Sequence, residues 1–221
     1  MKSAVLVFPG SNREGDVAQA IELVTGRRPA MVWHGDGNFE KVDLIVVPGG
    51  FSYGDYLRCG AMAACSPVMR EVARRAEQGV AVLGICNGFQ ILAEAGLLPG
   101  ALIRNAGLRF VCRWAELEVG TRDSAFTRDY VAGDLRLPVA HHDGNYVIDE
   151  GGLARLRDED RIAFRYRDNP NGSTADIAGV LGPRRNVLGM MPHPERATNP
   201  SLSNADGIEV FSTLFNIHQF A

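Results

Sequence analysis

Val82-Leu83-Gly84-Ile85-Cys86-Asn87-Gly88-Phe89-Gln90 is a short apolar run that ends in a cysteine set between small residues and continues into helix formers. A run of this length reads as a buried strand. The Gly-x-Cys-x-Gly at its end reads as a nucleophile elbow, the sharp strand-to-helix turn whose glycines relieve crowding around one strained side chain. The sulfur of Cys86 would then sit over the N-terminus of the following helix, where unpaired N–H groups and the helix dipole favour thiolate over thiol. A strand feeding a helix in this way is half of a βαβ unit.

The same alternation extends upstream. Residues 3–8 predict a first strand, and Ser11-Asn12-Arg13-Glu14 predicts a capping box opening a helix with apolar positions at Val17, Ala20, Ile21 and Val24. Strands follow at 30–33 and 44–47, then the loop Pro48-Gly49-Gly50-Phe51-Ser52-Tyr53-Gly54-Asp55. Residues 60–78 read as helix, restarted at Ser66-Pro67, where serine can cap and proline suits the first helical position. Strands alternating with helices imply a parallel sheet with right-handed crossovers. The predicted fold is therefore α/β, a flavodoxin-like doubly wound, mostly parallel sheet with helices on both faces. Beyond Cys86 the pattern changes to strands at 108–119, 135–140, 146–148, 162–167, 177–181 and 187–191, with little helix between them before a closing helix at about 206–218. That predicts an antiparallel extension in the second half, within one domain spanning 1–221.

A nucleophile needs a base, and the base needs a group to orient it. Met190-Met191-Pro192-His193-Pro194-Glu195-Arg196 offers both: His193 lies between two prolines that keep the segment out of a helix, and Glu195 could hold one imidazole nitrogen so that the other faces sulfur. A cysteine after an apolar run is more often a small core residue. For Cys86 the elbow glycines and the proline-bracketed His–Glu pair argue jointly against that. His34 and His218 read as structural or surface residues, and for His141 and His142 a structural reading is as good as a functional one. Two adjacent glycines such as Gly49-Gly50 usually mean only a tight turn. At the same sheet edge as a thiolate, though, their N–H groups and that of Asn87 could form an oxyanion hole. The chain has no G-x-x-x-x-G-K-S/T and no G-x-G-x-x-G, so nucleotide binding by this chain alone is not expected.

Composition narrows the function classes. With 23 basic and 26 acidic residues and a net charge of −3, the chain has no electrostatic footprint for nucleic acid or an anionic membrane. Arg155, Arg157, Arg161, Arg165 and Arg167 alternate with Asp158, Glu159, Asp160 and Asp168 and read as a solvated face. The four cysteines, Cys59, Cys65, Cys86 and Cys112, form no C-x-x-C and have no histidine at ligand spacing, so no metal site is expected. The N-terminal stretch is strand-like rather than a signal peptide, and no apolar run approaches the ~18 residues of a membrane span. The expected compartment is the cytoplasm, with reduced thiols, where Asn171-Gly172-Ser173 reads as a turn rather than a glycosylation site.

Together, the Pro48-Gly49-Gly50 loop, the Gly84–Gln90 elbow and His193-Pro194-Glu195 resemble the class I (triad-type) glutamine amidotransferases. Phe8-Pro9-Gly10-Ser11-Asn12, the run from Gly49 to Arg58, Leu108-Arg109-Phe110-Val111-Cys112-Arg113, Asn169-Pro170-Asn171-Gly172-Ser173 and the run from Gly189 to Arg196 are similar to the family of small glutaminase subunits of phosphoribosylformylglycinamidine synthase. The resemblance implies hydrolysis of glutamine, with Cys86 as nucleophile and His193 and Glu195 assisting. It also implies substrate contacts from Gln90 and from the backbone N–H groups of Gly50, Phe51 and Asn87. The ammonia would pass to a large synthetase subunit, which carries ATP and Mg, in a complex completed by a small accessory subunit. It would be used in purine biosynthesis, and no cofactor is implied for this chain. The glutaminase is expected to be inefficient alone, with the Gly49-Gly50-Phe51 loop as a switch. One departure stands out: where the family has a His-Gly-Glu-Gly type segment, this chain has His141-His142-Asp143-Gly144, and these residues are left out of the expected site. Three alternatives stay open on the residues alone: a glutaminase serving another acceptor, a cysteine-elbow peptidase-like or stress protein, and a pseudo-amidotransferase that only stabilises a partner.

Overall fold

In the computed structural model, which describes residues 1–130, 135–201 and 204–215, the strands fall into two sheets. The larger is built from β1 (Ser3–Val7), β2 (Ala30–Trp33), β3 (Leu44–Val47), β4 (Ala81–Ile85), β6 (Val111–Val119), β7 (Leu135–His141), β9 (Ile162–Tyr166), β10 (Ile177–Leu181) and β11 (Val187–Met190). The smaller pairs β5 (Ala101–Ile103) with β8 (Asn145–Val147). The helices are α1 (Glu14–Thr25), α2 (Ala61–Ala64), α3 (Pro67–Glu77), α4 (Asn87–Glu94), α5 (Glu150–Asp158) and α6 (Asp206–Phe215). None of the helices among the described residues is long and apolar enough to cross a membrane.

The large sheet has nine strands in the order β2-β1-β3-β4-β11-β10-β9-β6-β7. The first five are parallel, and the strands from β10 to β7 continue antiparallel. The doubly wound parallel half and its antiparallel extension are thus as expected from the sequence. The hydrophobic pattern explains the split. All four residues of β3 are buried, as a strand covered by helices on both faces requires, whereas β6 and β7 largely alternate between buried and more exposed positions. The last parallel strand is the one that matters for chemistry. β11 runs beside β4 with Met190 opposite Ile85, so the chain leaves the sheet next to Cys86.

Four local expectations need correction. The capping box does not form: Arg13 is the N-cap without a side-chain hydrogen bond, and the Ser11 hydroxyl is turned back to bond both the N–H and the carbonyl of Phe8. Helix α5 was not anticipated. It begins at an Asp149 cap whose Oδ1 accepts from the Gly152 N–H at 2.5 Å, and it buries only Gly152 and Leu156, so its apolar stripe is too thin to show in the sequence. The alternating charges around it are not all solvated, since Arg161 is buried and donates to the Leu181 carbonyl. Strand β6 starts three residues later than expected because residues 105–108 turn, with Leu108 N–H donating to the Asn105 carbonyl. The described part of the closing helix ends at Phe215, and residues 216–218 of the expected helix, His218 among them, lie outside the described residues.

Candidate active site

Cys86 stands between β4 and α4 with φ 50° and ψ −106°, a left-handed conformation that costs a side-chain-bearing residue about 1–3 kcal/mol. Its neighbours make room for that turn. A Cβ on Gly84 would lie 2.7 Å from the Gly88 carbonyl oxygen, and a Cβ on Gly88 would run into the carbonyl oxygen of Val47. The Cys86 N–H is fixed by the Met190 carbonyl at 2.8 Å, and the Cys86 carbonyl accepts from both Phe89 and Gln90. The N–H groups of Asn87 and Gly88 are therefore the donors at the open first turn of α4, beside the sulfur.

His193 comes to this place from β11. Its N–H donates to the Pro138 carbonyl at 2.9 Å, and a 3-10 turn over Pro194–Arg196 folds Glu195 back onto the ring. Nδ1 is 2.6 Å from Glu195 Oε1, with both side chains buried. Nε2 has no hydrogen-bond partner among the described residues, which leaves it for the cysteine. Burial pulls the imidazole pKa down, but the Glu195 carboxylate and the Cys86 sulfur outweigh it and hold the ring up to about 10. The site therefore favours a protonated imidazole held between the Glu195 carboxylate and the Cys86 sulfur.

The Gly49-Gly50 loop lies against this pair. A Cβ on Gly49 would come within 2.8 Å of His193 Cε1, and Gly50, at φ 147°, would place one 2.6 Å from Ser11 Cα. The loop can thus touch both the imidazole and the loop that follows β1 only because it has no side chains there. Phe51 is half-exposed, and its N–H is engaged, donating to the Gly10 carbonyl at 3.0 Å.

Asn87 and Gln90 do more structural work than the sequence indicates. Asn87 Oδ1 accepts from the Ser52 N–H at 3.0 Å, and its Nδ2 donates to Gln90 Oε1 at 2.8 Å and to Asp55 Oδ1 at 3.4 Å. Gln90 Nε2 in turn donates to the Asp143 carbonyl at 2.7 Å. The segment set aside in the sequence reading is therefore brought against the elbow helix. Further amides hold it there: Asn105 Oδ1 accepts from the Gly144 N–H and from His141 Nδ1, and Asn171 Nδ2 donates to the Gly144 carbonyl. His141 is kept neutral, its pKa lowered to about 4 by burial and then by the charge of His193. Asn171 belongs to the turn that the sequence made legible, but nothing in residue type announced that the turn clamps Gly144. His34, bonded through Nδ1 to the Tyr53 hydroxyl at 2.8 Å, braces the turn over Ser52–Asp55.

Comparisons with known proteins agree with this geometry. Residues 1–209 match the family model of the CobB/CobQ-like glutamine amidotransferase domain. Among curated proteins, the chain is 57% identical over 216 residues to the phosphoribosylformylglycinamidine synthase subunit PurQ of Ruegeria, covering 97% of each. It is 58% identical over 219 residues to that of Zymomonas mobilis, covering 98% of this chain and 99% of the relative. Among solved structures, a chain of PurLQS from Thermotoga maritima superposes with a TM-score of 0.88 at 43% identity, over 97% of both chains. The glutaminase domain of Trypanosoma brucei CTPS, at 15% identity and a TM-score of 0.62, shares the fold. With a cysteine elbow, a histidine held by a carboxylate and a family model spanning nearly its whole length, this chain belongs to the CobB/CobQ-like glutamine amidotransferases.

Proposed function

We propose that this chain is the glutaminase subunit of phosphoribosylformylglycinamidine synthase, acting in the cytoplasm as one amidotransferase domain over residues 1–221. The observation that carries the reading is the 2.6 Å His193–Glu195 pair, whose imidazole also interacts with the sulfur of the strained Cys86 at a helix N-terminus. Near-full-length identity of 57–59% to subunits of that synthase supports the choice of acceptor pathway over other amidotransferase pathways.

Thiolate Cys86 attacks the side-chain carbonyl carbon of glutamine. The oxygen takes up the negative charge and is met by the Asn87 N–H and by donors of the Gly50-Phe51 loop. Protonated His193 gives its Nε2 proton to the amide nitrogen as the C–N bond breaks, so that it leaves as ammonia rather than as an amide anion. The same ring, now neutral, takes a proton from water as that water attacks the glutamyl thioester, releasing glutamate and restoring the thiolate. Glu195 stays ionised throughout and keeps Nδ1–H pointed at itself. Because the Phe51 N–H is held by Gly10 here, it joins the oxyanion hole only after its peptide turns. Gly50 makes that turn inexpensive, and coupling it to the partner restrains wasteful hydrolysis.

Ammonia protonates quickly in water and loses its nucleophilicity, so it is delivered directly to a large ATP- and Mg-dependent synthetase subunit. There it converts formylglycinamide ribonucleotide to formylglycinamidine ribonucleotide, in a complex that includes a small accessory subunit. The test is Cys86→Ser in the reconstituted complex. Glutamine-dependent synthesis should disappear while ammonia-dependent synthesis stays nearly intact. Retention of glutamine-dependent synthesis, or loss of both, would overturn the reading.

A further inference from the structure

His141 ends β7 beside the nucleophile, and the steps set out above leave its side chain unused. Three residues of that strand reach the site. The Pro138 carbonyl holds the His193 N–H at 2.9 Å, the Ala140 carbonyl lies 3.8 Å from Cys86 Sγ, and the His141 ring is near enough to His193 for that charge to add to burial in depressing its pKa. The tautomer of His141 is fixed by its partner. Asn105 spends Nδ2 on two carbonyls, those of Arg109 at 2.9 Å and His141 at 3.0 Å. Its Oδ1 is therefore the acceptor for the Gly144 N–H at 3.0 Å and for His141 Nδ1 at 3.1 Å. His141 thus carries its proton on Nδ1 and presents a bare lone pair at Nε2. The ring is packed on Gly144, where a Cβ would collide with it, and is 3% exposed. Nε2 is buried and has no hydrogen-bond partner among the described residues. An orphaned buried acceptor is costly, and an apolar residue at this position would avoid the cost.

We propose that His141 Nε2 accepts a hydrogen bond from the γ-amide nitrogen of glutamine and holds that nitrogen as it departs as ammonia. This rests on the reading that Cys86 attacks the γ-amide, and it deepens that reading by naming what receives the leaving group. At its reacting end glutamine has one donor, the amide NH2. The carbonyl oxygen goes to the N–H groups of the oxyanion hole, so the nitrogen is what a bare acceptor can take. The bond strengthens as the reaction proceeds. When His193 gives its Nε2 proton to the nitrogen of the tetrahedral intermediate, that nitrogen becomes a cationic amine, and its N–H groups become stronger donors. The electron pair of the C–N bond then leaves with the nitrogen, and NH3 is released. A contact that tightens in this way lowers the barrier rather than only the energy of bound substrate. His141 takes no proton in the sequence. Its one ring proton is tied to Asn105, so it has none to give to ammonia, and the product leaves in its nucleophilic form.

The test compares glutamine with glutamate γ-methyl ester, whose leaving oxygen carries no hydrogen, by steady-state release of glutamate in the complex with the synthetase. For both substrates kcat/KM reports acylation of Cys86, the step in which the leaving group departs. His141→Asn keeps a donor for Asn105 and removes the acceptor at Nε2. It should lower kcat/KM for glutamine by about 30-fold and for the ester by less than about threefold. His141→Gln does the converse, placing an amide oxygen near the Nε2 position and giving up the bond to Asn105. It should unfold at lower urea than His141→Asn, yet keep the amide-to-ester ratio within about threefold of wild type. Equal losses on both substrates in His141→Asn, or a collapsed ratio in His141→Gln, would overturn the proposal. So would a fall in kcat common to both substrates with kcat/KM unchanged, because Nε2 would then hold the water that hydrolyses the thioester. Glutamate release from either substrate should vanish in Cys86→Ala, and its persistence would overturn the underlying reading instead.

Discussion

Replacing Asn87 with alanine separates what its side chain does from what its backbone N–H does. The side chain is 1% exposed and makes three hydrogen bonds, to the Ser52 N–H, to Gln90 Oε1 and to Asp55 Oδ1. Alanine leaves the N–H of Ser52, itself 3% exposed, and Gln90 Oε1 without partners. Each orphaned buried group costs about 1–3 kcal/mol, and the Asp55 contact at 3.4 Å is too long to add much, so the expected loss is about 3 kcal/mol. For a chain of this size that is a fall in Tm of about 6–12 °C, a large share of a typical stability of about 5–15 kcal/mol. Urea unfolding of the two proteins, compared at equal slope, measures it. Catalysis should respond differently. The backbone donor survives in the alanine variant, so kcat should fall by less than about 10-fold, while KM for glutamine rises because Gln90 no longer holds the 141–144 segment firmly. Asn87→Asp should be no better, since it keeps the acceptor for Ser52 but loses the donor to Gln90 and sets a second carboxylate beside Asp55. A loss below about 0.5 kcal/mol would refute the hydrogen-bond reasoning. A 100-fold collapse in kcat with stability unchanged would place the side chain in the chemistry instead.

Three further outcomes follow from the geometry around His193. Glu195→Gln should slow turnover less than His193→Ala does and leave KM for glutamine nearly unchanged, because the carboxylate supports the imidazolium without taking its proton. The same variant has a pH signature. His193 is raised in the folded state, against the pull of burial, to about 10, from about 6.5 unfolded. The stability from its pairing is therefore fully present below about pH 6.5 and lost as pH rises through about 10, and the Tm gap between wild type and Glu195→Gln should narrow over that window. Gly49→Ala puts a methyl 2.8 Å from His193 Cε1 and 3.4 Å from Arg13 Cγ, so the ring must shift. Kinetics on this variant should show kcat reduced by about 10-fold or more, with a stability cost of about 1–3 kcal/mol.

The parallel half of the sheet was legible because β3 and β4 are unbroken apolar runs ended by glycine-bearing loops, a pattern that only strands enclosed on both faces need. The closeness of His193 to Glu195 was legible too, since prolines on either side of the histidine force a turn that returns the carboxylate to the ring. Helix α5 was hidden because a nine-residue helix with two glycines and one large buried side chain has almost no periodicity to read. The capping box misled because Ser11 found a nearer partner in Phe8. The 141–144 segment was hidden for a different reason. It meets the elbow through the Asp143 carbonyl, and a main-chain oxygen leaves no mark on residue type. The amides that hold it, on Asn105 and Asn171, lie 36 residues before His141 and 27 after Gly144, so their convergence is a product of the fold alone.

The most direct test of the account is covalent. An electrophilic glutamine analogue, added to the wild-type chain in its complex and followed by intact-mass and peptide mapping, should give one adduct, on Cys86. The reaction should slow sharply in His193→Ala, which removes the imidazole that pairs with the sulfur. An adduct on Cys59, Cys65 or Cys112 with Cys86 untouched would contradict the account.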